Sequence, residues 1–343
     1  MKSKILFICK ERSTVSPYGY GYGKSVGLIN SASFVVNYLN EIGLESKLSI
    51  AIDANSIDKE VFAYKPTHVI IEALWVTSDK LKELMSLKRY ENITWIVRIH
   101  SKIPFIANEG TAFKSLVGYS NLMEDFDNLY ISTNSPEFMD DLKKIFRING
   151  AYLPNIYYPK NYHFHKEHSK KCHLDVGCFG AIRPMKNTLM QAIAAIEYGE
   201  EIDQIVHFHV NSDRQEQRGD CVYKNLRDLF SGTKHKLIDH SWMEHREFIE
   251  VVKTMDIGLQ VSMSETFNIV AADFISNDVP LIGSPDITWI PKIFQADPNS
   301  SQDIVSKIRF ILDTKELGIY KLNKIYLKWY NNHAKKIWRD FLR

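Results

Sequence analysis

The sequence predicts an α/β protein made of two doubly wound parallel sheets, on three observations. Short apolar runs rich in β-formers alternate with amphipathic stretches from residue 4 to residue 283, an order that places helices between parallel strands. The alternation stops once, in a segment dense in Lys, His and Tyr over 157–171, and then begins again. A length of 343 residues also exceeds what one hydrophobic core usually holds.

Lys4 to Cys9 reads as the first strand, followed by a glycine-dense loop and a helix over 25–42 that ends at Gly43, a C-cap signal. Strands follow at 46–52, 68–72, 94–99 and 129–132, with a helix at 78–87. The second half predicts strands at 175–179, 204–210, 236–239, 257–261 and 280–283, and helices at 188–198, 244–254 and 270–276. Beyond Ser301 the chain reads as helical to its end, with Ile325, Trp329, Trp338 and Phe341 as apolar positions among seven Lys and Arg residues over 321–343. The expected organisation is an N-terminal domain over 1–158, a linker over 159–171, a second domain over 172–314, and a helical segment over 315–343 packing toward the first domain. Two such Rossmann-like halves would face each other across a cleft.

Composition is that of an ordinary globular protein, 45% apolar and 24% charged, which argues against disorder. A formal net charge of +2 neither requires nor excludes a polyanionic partner, so any basic surface must be local. Cys9, Cys172, Cys178 and Cys221 form no C-x-x-C pair, which disfavours a zinc ribbon and a disulfide framework. The apolar run Ile5 to Cys9 is too short for a signal-peptide core, and nowhere do eighteen apolar residues run together. A cytoplasmic chain with reduced thiols is the expectation.

In open α/β sheets ligands bind beyond the carboxyl ends of the strands, where glycine admits phosphate and helix N-termini offer N–H groups to anions. Ser264-Glu-Thr-Phe-Asn-Ile-Val-Ala-Ala-Asp273 leads from a strand into a helix and puts two acids eight positions apart, Glu265 in the loop and Asp273 about two turns into the helix. On a helix that offset spans roughly 12 Å, enough to reach both ends of a nucleotide sugar. Backbone N–H groups of Phe267, Asn268, Ile269 and Val270 would then lie between the acids, at its diphosphate. Phe179-Gly-Ala-Ile-Arg-Pro-Met-Lys-Asn187 ends another strand in Gly180 and delivers Arg183 and Lys186, two cations suited to a leaving diphosphate.

These segments, in this order, resemble retaining GT-B glycosyltransferases of the glycogen synthase and phosphatidylinositol mannosyltransferase type, glycosyltransferase family 4-like. The resemblance covers most of the chain. Gly180 and Lys186 match the glycine and the lysine six residues later that open the family's donor domain, although Ala181 stands where Arg is usual. Glu265 and Asp273 match its paired acids, with Asp in place of the second Glu, and Pro280, Gly283 and Asn155 also fit. The resemblance implies that Glu265 contacts the transferred sugar, Asp273 the ribose, and Arg183 with Lys186 the diphosphate. It places His100, at the end of Trp95-Ile-Val-Arg-Ile-His100, near the reacting centre. It assigns Gly21 and Gly23 of Gly19-Tyr-Gly-Tyr-Gly23-Lys-Ser25 to a loop approaching donor phosphate; the spacing fails as a nucleoside triphosphatase loop. Retention of configuration without a metal follows, with a nucleotide diphosphate sugar as donor substrate, UDP preferred, and no bound cofactor.

The acceptor stays open. Ile70-Ile-Glu-Ala-Leu-Trp75 and Arg98-Ile-His-Ser-Lys-Ile-Pro-Phe105 look like segments of phage-encoded glycosyltransferases, some of which modify hydroxylated DNA bases. Arg12, Lys24, Arg98, Lys102 and the basic C-terminal stretch would then meet DNA phosphate. A cell-surface or lipid-linked glycan is the alternative acceptor, and a catalytically silent nucleotide-sugar binder the alternative function. Asp125-Phe-Asp127 reads as a solvated turn, His163, His165 and His168 as linker residues, and His207 and His209 as facing the cleft or a helix; no metal ligand is assigned.

Overall fold

The computed structural model describes residues 3–11, 14–15, 21–22, 26–148, 150–159 and 172–343. Its chain forms two compact units. The N-terminal unit comprises residues 1–14, 23–159 and 331–343, and the C-terminal unit residues 15–22 and 160–330.

Through residue 152 the elements run β1 (Lys4–Lys10), β2 (Thr14–Val15), β3 (Gly21–Tyr22), α1 (Val26–Glu41), β4 (Glu45–Ala51), α2 (Ser56–Tyr64), β5 (His68–Glu72), α3 (Ser78–Met85), β6 (Thr94–Ile99), α4 (Ile103–Ile106), α5 (Ala112–Asp125), β7 (Leu129–Thr133), α6 (Pro136–Phe146) and β8 (Ala151–Tyr152), all in the N-terminal unit except Val15 and β3. A six-stranded sheet has the order β4-β1-β5-β6-β7-β8, with every pairing parallel. Ile5 to Cys9 are wholly buried, as a central parallel strand covered on both faces requires. On the edge strand β4, Ser46, Ser49 and Ala51 point inward while Glu45, Lys47 and Ile50 are exposed. The predicted glycine-dense loop contains β2 and β3, which pair as a two-stranded ribbon, and Gly23 lies outside the described residues.

The C-terminal unit continues with β9 (His173–Gly177), α7 (Thr188–Glu201), β10 (Ile205–Val210), α8 (Gly219–Ser231), β11 (Lys236–Asp239), α9 (His245–Lys253), β12 (Ile257–Gln260), α10 (Ile269–Ser276), β13 (Leu281–Gly283), α11 (Ser301–Asp313) and α12 (Leu322–Phe341). Its five strands are parallel in the order β11-β10-β9-β12-β13. Gly177 and Gly258 are register partners on β9 and β12. A Cβ on either would stand 2.7 or 2.6 Å from the ring of Phe274, so the bare backbone there lets α10 settle close against the sheet.

The terminal region is not one helix. Gly318, at φ +66°, separates α11 from α12 with two short 3-10 turns between them. Ile325 and Trp329, expected to pack inward, are exposed at 46% and 60%; the inward positions are Asn323, Leu327, Ala334, Trp338 and Leu342. Asn323 Nδ2 donates to Leu281 O at 3.4 Å in the C-terminal unit. Later residues of α12 belong to the N-terminal unit: Asn331 exchanges two hydrogen bonds with the Tyr157 backbone, and Trp338 Nε1 donates to Pro154 O at 2.8 Å. No helix among the described residues is long and apolar enough to cross a membrane.

Candidate functional site

In the C-terminal unit the chain leaves β9 for β10 on one side, whereas β12 lies on the other. The loops after β9 and β12 therefore part at the topological switch point, where an open sheet leaves a crevice. They carry Gly180 to Lys186 and Ser262 to Asn268. The two loops are fastened together. Met263 N–H donates to Met185 O at 2.9 Å, Asn187 Nδ2 to Val261 O at 3.2 Å, and Val261 N–H to Gln191 Oε1 at 2.7 Å.

Gly180 has φ +117°, a region that favours glycine, and the Lys186 side chain lies over it with Cε 3.9 Å from where a Cβ would stand. Lys186 Nζ forms an ion pair with Glu265 Oε1, and the Glu265 N–H donates to Asp286 Oδ2 at 3.0 Å. Arg183 Nη1 donates to Glu216 Oε2 at 3.0 Å, and Arg214 Nε to the other oxygen at 2.8 Å. Thus Lys186 and Glu265, 79 residues apart, form the centre of the loop pair. Sequence placed each at the site but gave no sign that they pair.

Burial alone would push the Glu265 carboxyl up, but the charges of Lys186 and Arg183 outweigh it and hold the group below its ordinary value of 4.5. A depressed carboxylate pKa contributes stability that is complete above the ordinary value and is lost as pH falls below it. Unfolding of wild type and Glu265→Gln between about pH 3 and 6 is expected to show a steeper acid loss in the wild type, the difference vanishing at the acid end. Equal slopes would mean that the Glu265 charge carries no net folding free energy. Burial pushes the neighbouring Cys178 thiol up to about 12 despite Lys186, which makes it inert at neutral pH.

Glu265 lies in the loop before the helix, as expected, and Asp273 about one turn into it. α10 begins after Asn268, whose backbone is left-handed at φ +59° and whose Oδ1 accepts from Ala271 N–H at 2.9 Å. Helix geometry leaves the N–H groups of Ile269 and Val270 without an intrahelical acceptor, and both residues are partly exposed. With the positive end of the helix dipole behind them, they suit an anion. Phe267 is different: its ring is buried, with centroids 5.6 Å from Trp289 and 5.2 Å from Tyr330. Asp273 lies on the inner face of α10, 1% exposed, and its Oδ1 meets His245 Nε2 at 2.8 Å. His245 was missed in the sequence because it opens a helix far along the chain from the acid that it meets.

The N-terminal unit holds the other predicted residues. Arg98 and Glu72 are register partners on β6 and β5, and both are fully buried. Arg98 Nη1 donates to both Glu72 oxygens at 3.1 and 3.2 Å, Nη2 to Asn155 Oδ1 at 2.6 Å and Nε to Leu153 O at 2.9 Å. Its guanidinium is also 5.2 Å from the Trp338 ring. Arg98 is therefore not a surface cation for DNA phosphate, which corrects that expectation. His100 Nε2 forms a short contact with Glu72 Oε2, and Nδ1 lies 3.5 Å from Asn134 Nδ2. A proton on Nε2, donated to Glu72, leaves Nδ1 to accept. Burial, with the Arg98 charge adding to it, holds the His100 pKa below 6.5 against the pull of Glu72. Glu72 itself, against its burial, is held down by Arg98 first and His100 second. Glu72 could have been found as a lone acid ending an apolar strand, opposite a lone Arg in the next one.

Among the described residues, one other group of side chains has metal-ligand spacing, His173, Asp175 and His207. It lies at the start of β9 and on β10, away from the loops just described.

No protein-family model matches the chain, and no curated protein is a match to it in sequence. Solved structures do match in fold. Trehalose-6-phosphate synthase OtsA superposes with a TM-score of 0.71 at 10% identity, over 99% of each chain. Sucrose-phosphate synthase from Thermosynechococcus elongatus gives 0.66 at 13% identity, over 99% of this chain and 98% of that one. Anabaena Alr3699/HepE, solved in complex with UDP and glucose, gives 0.64 at 12% identity, over 98% of this chain and 100% of that one. The fold is GT-B, with two parallel-sheet α/β domains.

Proposed function

We propose that the chain is a retaining glycosyltransferase that moves a sugar from a nucleotide diphosphate sugar, preferably UDP-linked, to an acceptor hydroxyl. One observation carries the reading: Gly180, Lys186, Glu265 and the N-terminus of α10 converge on the switch point of the second sheet. A glycine that admits phosphate, a fixed cation and free helix N–H groups form an anion site, and the carboxylate beside them suits sugar hydroxyls. The UDP and glucose bound to the Anabaena relative support UDP as the nucleotide.

In this reading the bond from the anomeric carbon to the diphosphate oxygen breaks as the acceptor oxygen bonds to the same face. The acceptor proton passes to the departing diphosphate. Lys186, Arg183 and the N–H groups of Ile269 and Val270 stabilise the charge that develops there, without a divalent ion. Glu265 orients the sugar, Asp273 is assigned the ribose, and His100 is assigned a part in the transfer. A glycan hydroxyl is the favoured acceptor, because Arg98, one of the cations on which the DNA reading relied, is buried against Glu72 and Asn155.

Thermal unfolding against a panel of nucleoside diphosphates and nucleotide sugars tests the proposal. A donor at a hundred times its dissociation constant is expected to stabilise the protein by about 2.7 kcal/mol. No response to any member of the panel would remove the transferase reading. The responding donor is then offered with glycans and with hydroxymethylated DNA, and the anomeric configuration of the product is read.

A further inference from the structure

We propose that His173, Asp175 and His207 form a binding site for a divalent transition-metal cation of the zinc class. His173 and Asp175 are two apart on β9, so they share a face of the sheet, and His207 is the register partner of Asp175 on β10. One ligand atom from each lies within 4.8 Å of the others.

The separations suit a metal better than hydrogen bonds. Asp175 Oδ1 is 3.3 Å from His173 Nε2 and 3.6 Å from His207 Nδ1. The second distance is too long for a hydrogen bond and the first is at the outer limit. Metal bonds of about 2.0–2.1 Å in a tetrahedron put neighbouring ligand atoms about 3.3–3.4 Å apart. The two imidazole rings are stacked with centroids 3.8 Å apart, so they need only fan open to aim both nitrogens at one point.

Asp175 is held for this role. It is 5% exposed, and His209 Nε2 lies 3.0 Å from Oδ1, while His209 Nδ1 lies 2.8 Å from His240 Nε2. With both rings neutral, His240 donates to His209 and His209 donates to Asp175. Such a chain fixes a carboxylate ligand in the way that outer partners orient metal ligands. His173 and His207 keep 27% and 18% side-chain exposure, enough for an ion to enter and for water to take a fourth position. Two imidazoles and one carboxylate favour zinc, cobalt or nickel over magnesium or calcium. From Asp175 to Gly180 the extended chain spans roughly 15 Å, so the ion would tie β9 to β10 without touching the donor loops. The inference therefore stands or falls independently of the transferase reading.

The test is calorimetric titration of the chelator-treated full chain with Zn2+, paired with visible absorption on adding Co2+. One ion is expected to bind, Co2+ should show the intense bands of four-coordination, and Mg2+ should not compete. Asp175→Asn and His207→Gln should each weaken Zn2+ binding at least about tenfold. His173→Gln, at the most exposed ligand, should do the same with the least risk to folding. A protein with His163, His165 and His168 all changed to Ala should keep the site. Binding that survives the β9 and β10 substitutions, that disappears with the His163, His165 and His168 changes, or that never occurs overturns the proposal.

Discussion

Lys186→Ala is expected to lose the nucleotide-sugar response and to reduce transfer about 10²- to 10³-fold, the usual cost of removing one fixed donor from a developing negative charge. The same change leaves the Glu265 carboxylate buried without its Lys186 partner, with the Arg183 charge and the Ser262 hydroxyl still acting on it. Removing one member of a buried pair costs about 3 kcal/mol at the low end, which fits side chains still 15% and 9% exposed. Lys186→Ala with Glu265→Gln separates the effects: stability should largely return while donor binding does not. Unfolding curves and transfer rates on the three proteins check this. Full recovery of activity in the double variant would show that Lys186 serves only to neutralise Glu265.

Arg98→Ala should be the more damaging change to folding, although it lies in the other unit. Its guanidinium satisfies Glu72, Asn155 and the Leu153 carbonyl at once, and nothing in its place can reach them. Glu72, at zero exposure, keeps its His100 contact but loses the guanidinium charge, which costs about 3–5 kcal/mol and lowers the unfolding midpoint by about 10 °C in a unit of this size. Arg98→Met with Glu72→Met replaces the pair with apolar groups of similar length and should recover most of the loss. His100 then loses the carboxylate that orients it, so activity should stay low while stability returns. Recovery of both would assign the pair to folding alone.

How legible these sites were depends on whether their residues meet along the chain or across it. β5 and β6 have the bounds that their apolar runs predict, 68–72 and 94–99, because buried parallel strands are uniformly apolar. β9 was expected at 175–179 but occupies His173–Gly177, since His173 looks polar until register sets it beside Ile205. The helices at Ser56–Tyr64, Ala112–Asp125, Pro136–Phe146 and Gly219–Ser231 were not predicted. One had a clear signal: Ser135 caps Pro136–Phe146 by accepting from Phe138 N–H, with Pro at the first helical position. Lys186 and Glu265 could be singled out by loop context, but their pairing, like that of Glu72 with Arg98, exists only once strand order is known.

The two facing glycines beneath Phe274 act as a gauge for the chemistry. They set how near one helix stands to its sheet, and that spacing determines where the N–H groups of Ile269 and Val270 end. A side chain added in the slot, with no charge or ligand contact of its own, would lift the helix start away from its anion. Hydrogen bonds to phosphate tolerate only tenths of an ångström about their preferred length. The reach of the second domain toward a diphosphate is therefore fixed by two absent side chains on the far side of the helix.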